Sequence, residues 1–289
     1  MRETFDGLLD FLPRIPLGDT IEAFVDWLTN AEAFFNGLRG GIAGVTNGFL
    51  WLLELLPAVI LILLLTGLAY WVVRNQEKKW GLPSLVFFGL LLIHSLEYWD
   101  DLMLTLALVL TATAISIVIG VPVGIWMARN NYVQMIITPV LDFMQTMPAF
   151  VYLIPAVAFF SIGIVPGVVA SVIFAMPPTV RLTNLGIRQV PTEMIEAAEA
   201  FGSTPNQKLV KVQLPQAQVT IMAGINQTIM LALSMVVIAA MIGTDGLGRE
   251  VYYAVGRNDI AMGFEAGISI VILAIMLDRM SQAFNRNAK

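Results

Sequence analysis

Residues 102–128 contain no charged side chain. As a helix, such a run is about 40 Å long at 1.5 Å per residue, more than the roughly 30 Å hydrocarbon core of a bilayer. In hydrocarbon every backbone amide must be satisfied within the element, which leaves a helix or a closed barrel as solutions. Comparable uncharged runs recur along the chain and are far too long and unbroken for barrel strands of about ten residues. Charged residues make up 13% of the 289 residues and apolar ones 57%, where a soluble domain carries about 25% charged. The sequence therefore predicts an all-α integral membrane protein, a helical bundle in a bilayer.

Spanning helices are expected over residues 49–73, 82–96 and 102–128, two more within 132–181, one within 217–242 and one over 260–277. The stretch 132–181 is too long for one crossing and is divided at the Gly/Pro break SIGIVPG, residues 161–167. Seven crossings put the termini on opposite sides, and eleven of the sixteen Lys and Arg then fall on one side against five on the other. Positive charge marks the cytoplasmic side, so the N-terminus is expected outside, with the C-terminus and the polar stretch 191–215 in the cytoplasm. Prolines are frequent inside the expected spans, among them Pro122, Pro139, Pro148, Pro155, Pro177 and Pro178; each removes a backbone donor and predicts a bend.

Three segments follow from this reading: an extracytoplasmic or interfacial stretch 1–48, two peripheral spans in 49–98, and a core domain 99–289 that carries the 191–215 hairpin. Within the first, Ile21, Phe24, Val25, Leu28, Phe35 and Leu38 recur at helical spacing opposite Glu22, Asp26 and Glu32. That pattern predicts an amphipathic helix over 19–38, lying in the lipid interface or packed on the bundle, with Asp19 and Glu22 spaced as a capping box. Residues 1–48 hold seven acids against three bases, within a net charge of -5. This balance gives no support to nucleic-acid binding. The start does not read as a signal peptide, because acids stand where a basic region belongs. There is no cysteine, which excludes thiolate chemistry.

Enzymatic candidates are few. The single histidine, His94, has Glu97 three residues on, but one imidazole without a cluster makes no metal site. No G-x-x-x-x-G-K-[ST] phosphate loop occurs, so energy for a pump must enter through another chain or an ion gradient. Ion-coupled carriers need ionisable groups at depth, yet Glu54, Glu265 and Asp278 fall near span ends and only Asp142 is deeper.

The polar interval 191–215, PTEMIEAAEAFGSTPNQKLVKVQLP, reads as two short helices around a glycine. Thr192 is the expected cap of the first, Glu193 suits its positive end, and Gly202 is its left-handed stop. Thr204, Pro205 and Gln207 form a capping box for the second, which is expected to end at Pro215. Glu193, Glu196 and Glu199 recur along one side, beside the apolar Ile195, Ala198 and Phe201. The small Ala197 and Ala198 permit close approach by a partner, whereas three acids on a face argue against DNA contact.

Glu196-Ala197-Ala198, three residues, Gly202, nine residues and Val212-Gln213-Leu214-Pro215 resemble the EAA loop of ABC-importer permeases, E-A-A-x3-G-x9-I-x-L-P, with valine for isoleucine. The stretches 142–157, 165–191, 225–243 and 272–279 extend this likeness to the glycine betaine/proline betaine importer permeases, over about two thirds of the chain. The resemblance implies a type I ABC-importer permease fold in a bacterial inner membrane, working as a pair. It implies two copies of a separate ATPase that binds ATP and Mg, an extracytoplasmic substrate-binding protein, and no cofactor in this chain. It also implies that Glu193, Glu196, Ala197, Ala198, Gly202, Leu214 and Pro215 serve the contact with the ATPase.

By residue type and location, Gln145, Phe150, Tyr152, Asn226, Gln227 and Ser234 are candidates to line a route for a zwitterion with a quaternary ammonium group. Taken singly, each is read first as a helix–helix hydrogen bond or packing contact. Other solutes such as choline or carnitine, an ion-coupled carrier or channel without an ATPase, and a lipid-binding scaffold or sensor are the alternative readings.

Overall fold

A computed structural model describes residues 16–29, 31–74 and 79–287. Helices in chain order are α1 (Leu17–Thr29), α2 (Glu32–Glu54), α3 (Ala58–Val73), α4 (Gly81–Ser95), α5 (Trp99–Arg129), α6 (Asn131–Thr146), α7 (Leu153–Phe160) and α8 (Ile164–Arg188). They are followed by α9 (Thr192–Ala200), α10 (Pro205–Lys208), α11 (Leu214–Ile238), α12 (Leu247–Arg257) and α13 (Ile260–Asn287). Among the described residues, four helices are long and apolar enough to cross a membrane: α5, α8, the continuous 38-residue run Pro205–Ile242, and α13. Counting each of two bent helix pairs as one span gives six, and α4 is a shorter apolar helix beside them.

The two bent pairs correct the expected helix limits. The span expected over 49–73 is divided at Pro57, and α2 and α3 meet at 98°. Proline lacks the amide that would continue the ladder, and its ring pushes the preceding residue out of helical conformation. Upstream, the helix expected over 19–38 is two helices, α1 and α2, and α2 runs unbroken through Gly37, Gly40, Gly41, Gly44 and Gly48. Asp19 sits inside the first turn of α1 rather than ahead of it. The part of segment 1–48 before residue 16 lies outside the described residues, as do the side chains of Ile21 and Phe24. The second correction is at Pro148, where extended Met147 and Pro148 separate α6 from a 3-10 turn and α7 at 109°. The expected break at SIGIVPG is present as well, with Ser161 and Gly163 at φ 61° and 133°. Pro122, Pro139, Pro177 and Pro178 stay within continuous helices.

α5, α8 and α11 pack as a central trio. Their contact is close because small residues face hydroxyl side chains: a Cβ on Gly124 would stand 2.6 Å from Thr183 Cβ and 2.7 Å from the Val180 carbonyl oxygen. One on Gly224 would meet Pro178 O and Leu182 Cβ at 3.0 Å. Small residues drive close packing in lipid, where no hydrophobic force pulls helices together. Thr179 and Thr228 share a hydrogen bond of 2.7 Å across α8 and α11, and the Thr228 hydroxyl also reaches Ala175 O at 2.8 Å. The main apolar core adds α3, α4 and α13 through residues such as Leu61, Leu90, Leu108, Val172, Leu233 and Leu273. α2 is fastened to α7 by the Arg39 guanidinium donating to Phe160 O and by Phe35 stacked on Phe159 at 4.9 Å.

Candidate functional site

The polar interval folds as the hairpin its spacing predicts, between α8 and α11. α9 closes on a complete glycine stop: Gly202 has φ 75°, its amide donates to Glu199 O at 2.8 Å, and the Ser203 amide donates to Ala198 O at 3.0 Å. These bonds satisfy two of the carbonyls a helix end leaves free. Thr204 then opens α10 with its capping box, the Thr204 amide meeting Gln207 Oε1 at 2.9 Å and the Gln207 amide meeting Thr204 Oγ1 at 3.4 Å.

Two local expectations are corrected. Thr192 does not cap α9: Pro191, with ψ 135°, occupies the cap position and Thr192 is the first helical residue, making no side-chain cap bond. The second hairpin helix does not end at Pro215. After α10 the backbone widens into a π turn over Leu209–Gln213, in which the Leu214 amide donates to Leu209 O, and α11 continues from there with Pro215 in its first turn. The missing amide of Pro215 is thus absorbed without a break, a known use of single π turns.

One side of the hairpin is anchored. Leu209, Ile187 and Ala217 are buried together, with Ile125, Ala128, Leu214 and Ile221 packed around them. Arg129 Nη1 donates to Asn206 Oδ1 at 3.2 Å. Beside it, Arg188 binds Asn184 Oδ1 at 3.0 Å and, through Nη2, both Met127 O and Asn131 Oδ1 at 2.8 Å. Lys208 pairs with Glu199 and ties the two hairpin helices to each other. Arg129, Arg188, Asn131 and Asn206 had no signal as a set in the sequence, because residues far apart in the chain meet only after α5, α6, α8 and the hairpin have packed.

The other side is bare. α9 buries none of its residues. Glu193, Glu196, Ala197 and Gly202 are exposed, Ala198 is half-buried, and Phe201 is 91% exposed. Glu193 and Glu196 make no ion pair among the described residues. Leu214 is half-buried beneath the hairpin and Pro215 is exposed. A capped hairpin, rigid on its helix-facing side and presenting acids around apolar side chains on the other, can transmit movement but performs no bond chemistry.

The six candidate lining residues separate. Gln145, Phe150, Gln227 and Ser234 are exposed on α6, the 3-10 turn and α11. Tyr152 is buried and donates to Met144 O at 2.5 Å across the Pro148 bend. Asn226 is a helix–helix contact, donating to Asp278 Oδ1 at 3.1 Å and accepting from Ser281. At the opposite end of the bundle, Arg249 on α12 joins Asp245, Glu250 and Asp101. Among the described residues no His, Cys, Asp and Glu cluster could hold a metal, and His94 lies edge-on against Trp99 at 5.5 Å.

Both the fold and the sequence resemble known proteins. The methionine ABC transporter MetNI, in an inward-facing form, superposes with a TM-score of 0.60 over 64% of this chain and 93% of its own, at 22% identity, a likeness of fold. The glycine betaine/carnitine transport permease protein GbuB of Listeria monocytogenes is 64% identical over 96% of this chain and 98% of its own length. The glycine betaine transport system permease protein OpuAB of Bacillus subtilis is 58% identical over 95% and 96%. The family model for the binding-protein-dependent transport system inner membrane component matches residues 120–289, from the middle of α5 through α13 and including the whole hairpin. The chain belongs to that family and is a multi-pass inner-membrane permease component of an ABC importer, whose ATP hydrolysis resides on a separate subunit.

Proposed function

We propose that this permease moves glycine betaine or a related quaternary-ammonium osmolyte inward, as one of two copies that together enclose the pathway. The names of two relatives, more than half identical along nearly their whole length, support the solute. The hairpin 191–215 docks on each of two ATPase subunits, which hold ATP and Mg, and an extracytoplasmic binding protein delivers the solute at the other end. The observation that carries the coupling role is the hairpin's division into an anchored side and a bare side. Glu193, Glu196, Ala197, Ala198 and Gly202 face the partner, while Leu214 and Pro215 begin the helix that receives the movement. The positive-charge balance supports a cytoplasmic hairpin and an external N-terminus. Gln145, Phe150, Gln227 and Ser234, being exposed in the single chain, are retained as lining candidates; Tyr152 and Asn226 act by holding helices together.

Carnitine is the second solute to test, since the name of the Listeria relative includes it. The experiment is ATP-dependent uptake of labelled glycine betaine, proline betaine, choline and carnitine into vesicles holding the assembled complex. Glycine betaine is expected to be taken up only with ATP and binding protein. Glu196→Arg is expected to abolish co-purification with the ATPase and uptake together. Uptake by that variant driven by an ion gradient would refute the coupling role.

A further inference from the structure

Helix α6 has three faces where a membrane helix needs two. At 100° per residue, Val133, Ile137, Leu141 and Met144 form one face and pack against Met127 and Val180. Tyr132, Ile136, Val140 and Phe143 form a second, exposed and apolar as lipid requires. Between them runs a third: Asn131, Gln134, Thr138, Asp142, Gln145 and Thr146, with Met135 as its apolar member. Asn131, Asp142, Gln145 and Thr146 are exposed.

On this third face Asp142 pairs with Arg181 of α8, and the two side chains remain 57% and 36% exposed. Arg181 lies seven residues before Arg188, about 10 Å inside the end of α8, and Asp142 about 16 Å along α6 from Asn131. The pair therefore stands about two to three turns in from the helix ends that carry Asn131 and Arg188. Charges at that depth face a protein interior or a water-filled cavity, because exposing them to lipid is costly. The Arg181 Nε is in addition buried with no acceptor, so the guanidinium has donor capacity that Asp142 does not use.

We infer that the polar face of α6 is a water-lined stretch of the translocation pathway and that Asp142 and Arg181 together form a transient site for a zwitterionic solute. Arg181 takes the solute carboxylate, Asp142 faces the solute cation, and the two close on each other when the site empties. A pair of opposite charges suits a solute that carries both and no net charge: each charge is matched at every stage, and nothing binds so tightly that it cannot leave. The inference rests on the osmolyte reading for its solute, but not for the position of the pathway.

The chain has no cysteine, so in the complete complex reconstituted in vesicles single introduced cysteines are read on the permease chain itself, separated from its partners after labelling. Thr138→Cys, Gln145→Cys and Thr146→Cys are expected to react with a charged, membrane-impermeant thiol reagent, Ile136→Cys and Val140→Cys to resist it, and glycine betaine with ATP to slow the first group severalfold. Asp142→Asn and Arg181→Gln are each expected to lower solute moved per ATP by about tenfold, and restoring opposite charges by the double exchange Asp142→Arg with Arg181→Asp to recover part of it. An assembled, ATP-hydrolysing complex whose polar-face cysteines do not react would show that a second copy or lipid covers this face, and would overturn the pathway. Reactive cysteines that glycine betaine fails to protect, while another zwitterion does, would overturn the osmolyte reading and keep the site. Protection by no zwitterion, or unchanged transport in both neutral variants, would overturn the site itself.

Discussion

Gly124 sets the separation of α5 and α8 at a single point. A side chain there meets Thr183 Cβ and the Val180 carbonyl at distances no real Cβ contact shows, and the carbonyl belongs to a rigid helix that cannot yield. Gly124→Leu is expected to destabilise the bundle by about 1–3 kcal/mol or more, read as a lower thermal unfolding midpoint of purified protein; an unchanged midpoint would contradict the packing described. Residue by residue, the hairpin was the most legible part of the chain. Gly202 and the Thr204–Gln207 box act where their spacing puts them, because these devices depend on local geometry alone. Thr192 failed as a cap for an equally local reason: Pro191 took the cap position and moved threonine one step into the helix.

Among elements, the second hairpin helix and α11 form one continuous helical run. The π turn at Leu209–Gln213 lets α10 run on into a 38-residue helical span, so displacement of the hairpin reaches the center of the bundle without a joint. Arg188 links the neighbouring helix ends by holding the Met127 carbonyl and Asn131. In Arg188→Gln the fork that spans both is lost, and uptake per ATP hydrolysed is expected to fall severalfold while ATP hydrolysis stimulated by the binding protein continues. An unchanged ratio in vesicles would show that the arginine is a passive surface charge. The bend at Pro148 was expected from its proline and that at Pro57 was not read from the sequence; whether a proline kinks, breaks or is accommodated depends on what neighbouring helices offer the freed carbonyls.

At the scale of the molecule, the hairpin between α8 and α11 and the Arg249 cluster around α12 occupy opposite ends of the bundle. Ser203→Cys and Asn258→Cys, introduced singly, are therefore expected to react with an impermeant thiol reagent from opposite sides of sealed vesicles, Ser203→Cys from the ATPase side. Reaction of both from one side would overturn the orientation.

The sequence by itself determined that the chain is a helical membrane protein, which runs are apolar enough to span a bilayer and which polar stretch forms a capped hairpin, since uncharged length and capping chemistry act over a few turns. The tertiary structure decided where that hairpin is anchored, that Asn226 and Tyr152 serve helix contacts, and that Asp142 meets Arg181 on an exposed polar face. These outcomes join residues 39 positions apart in the case of the ion pair and 77 in that of Arg129 and Asn206. Such contacts form only once α5, α6, α8 and the hairpin have packed against one another, which no local pattern encodes.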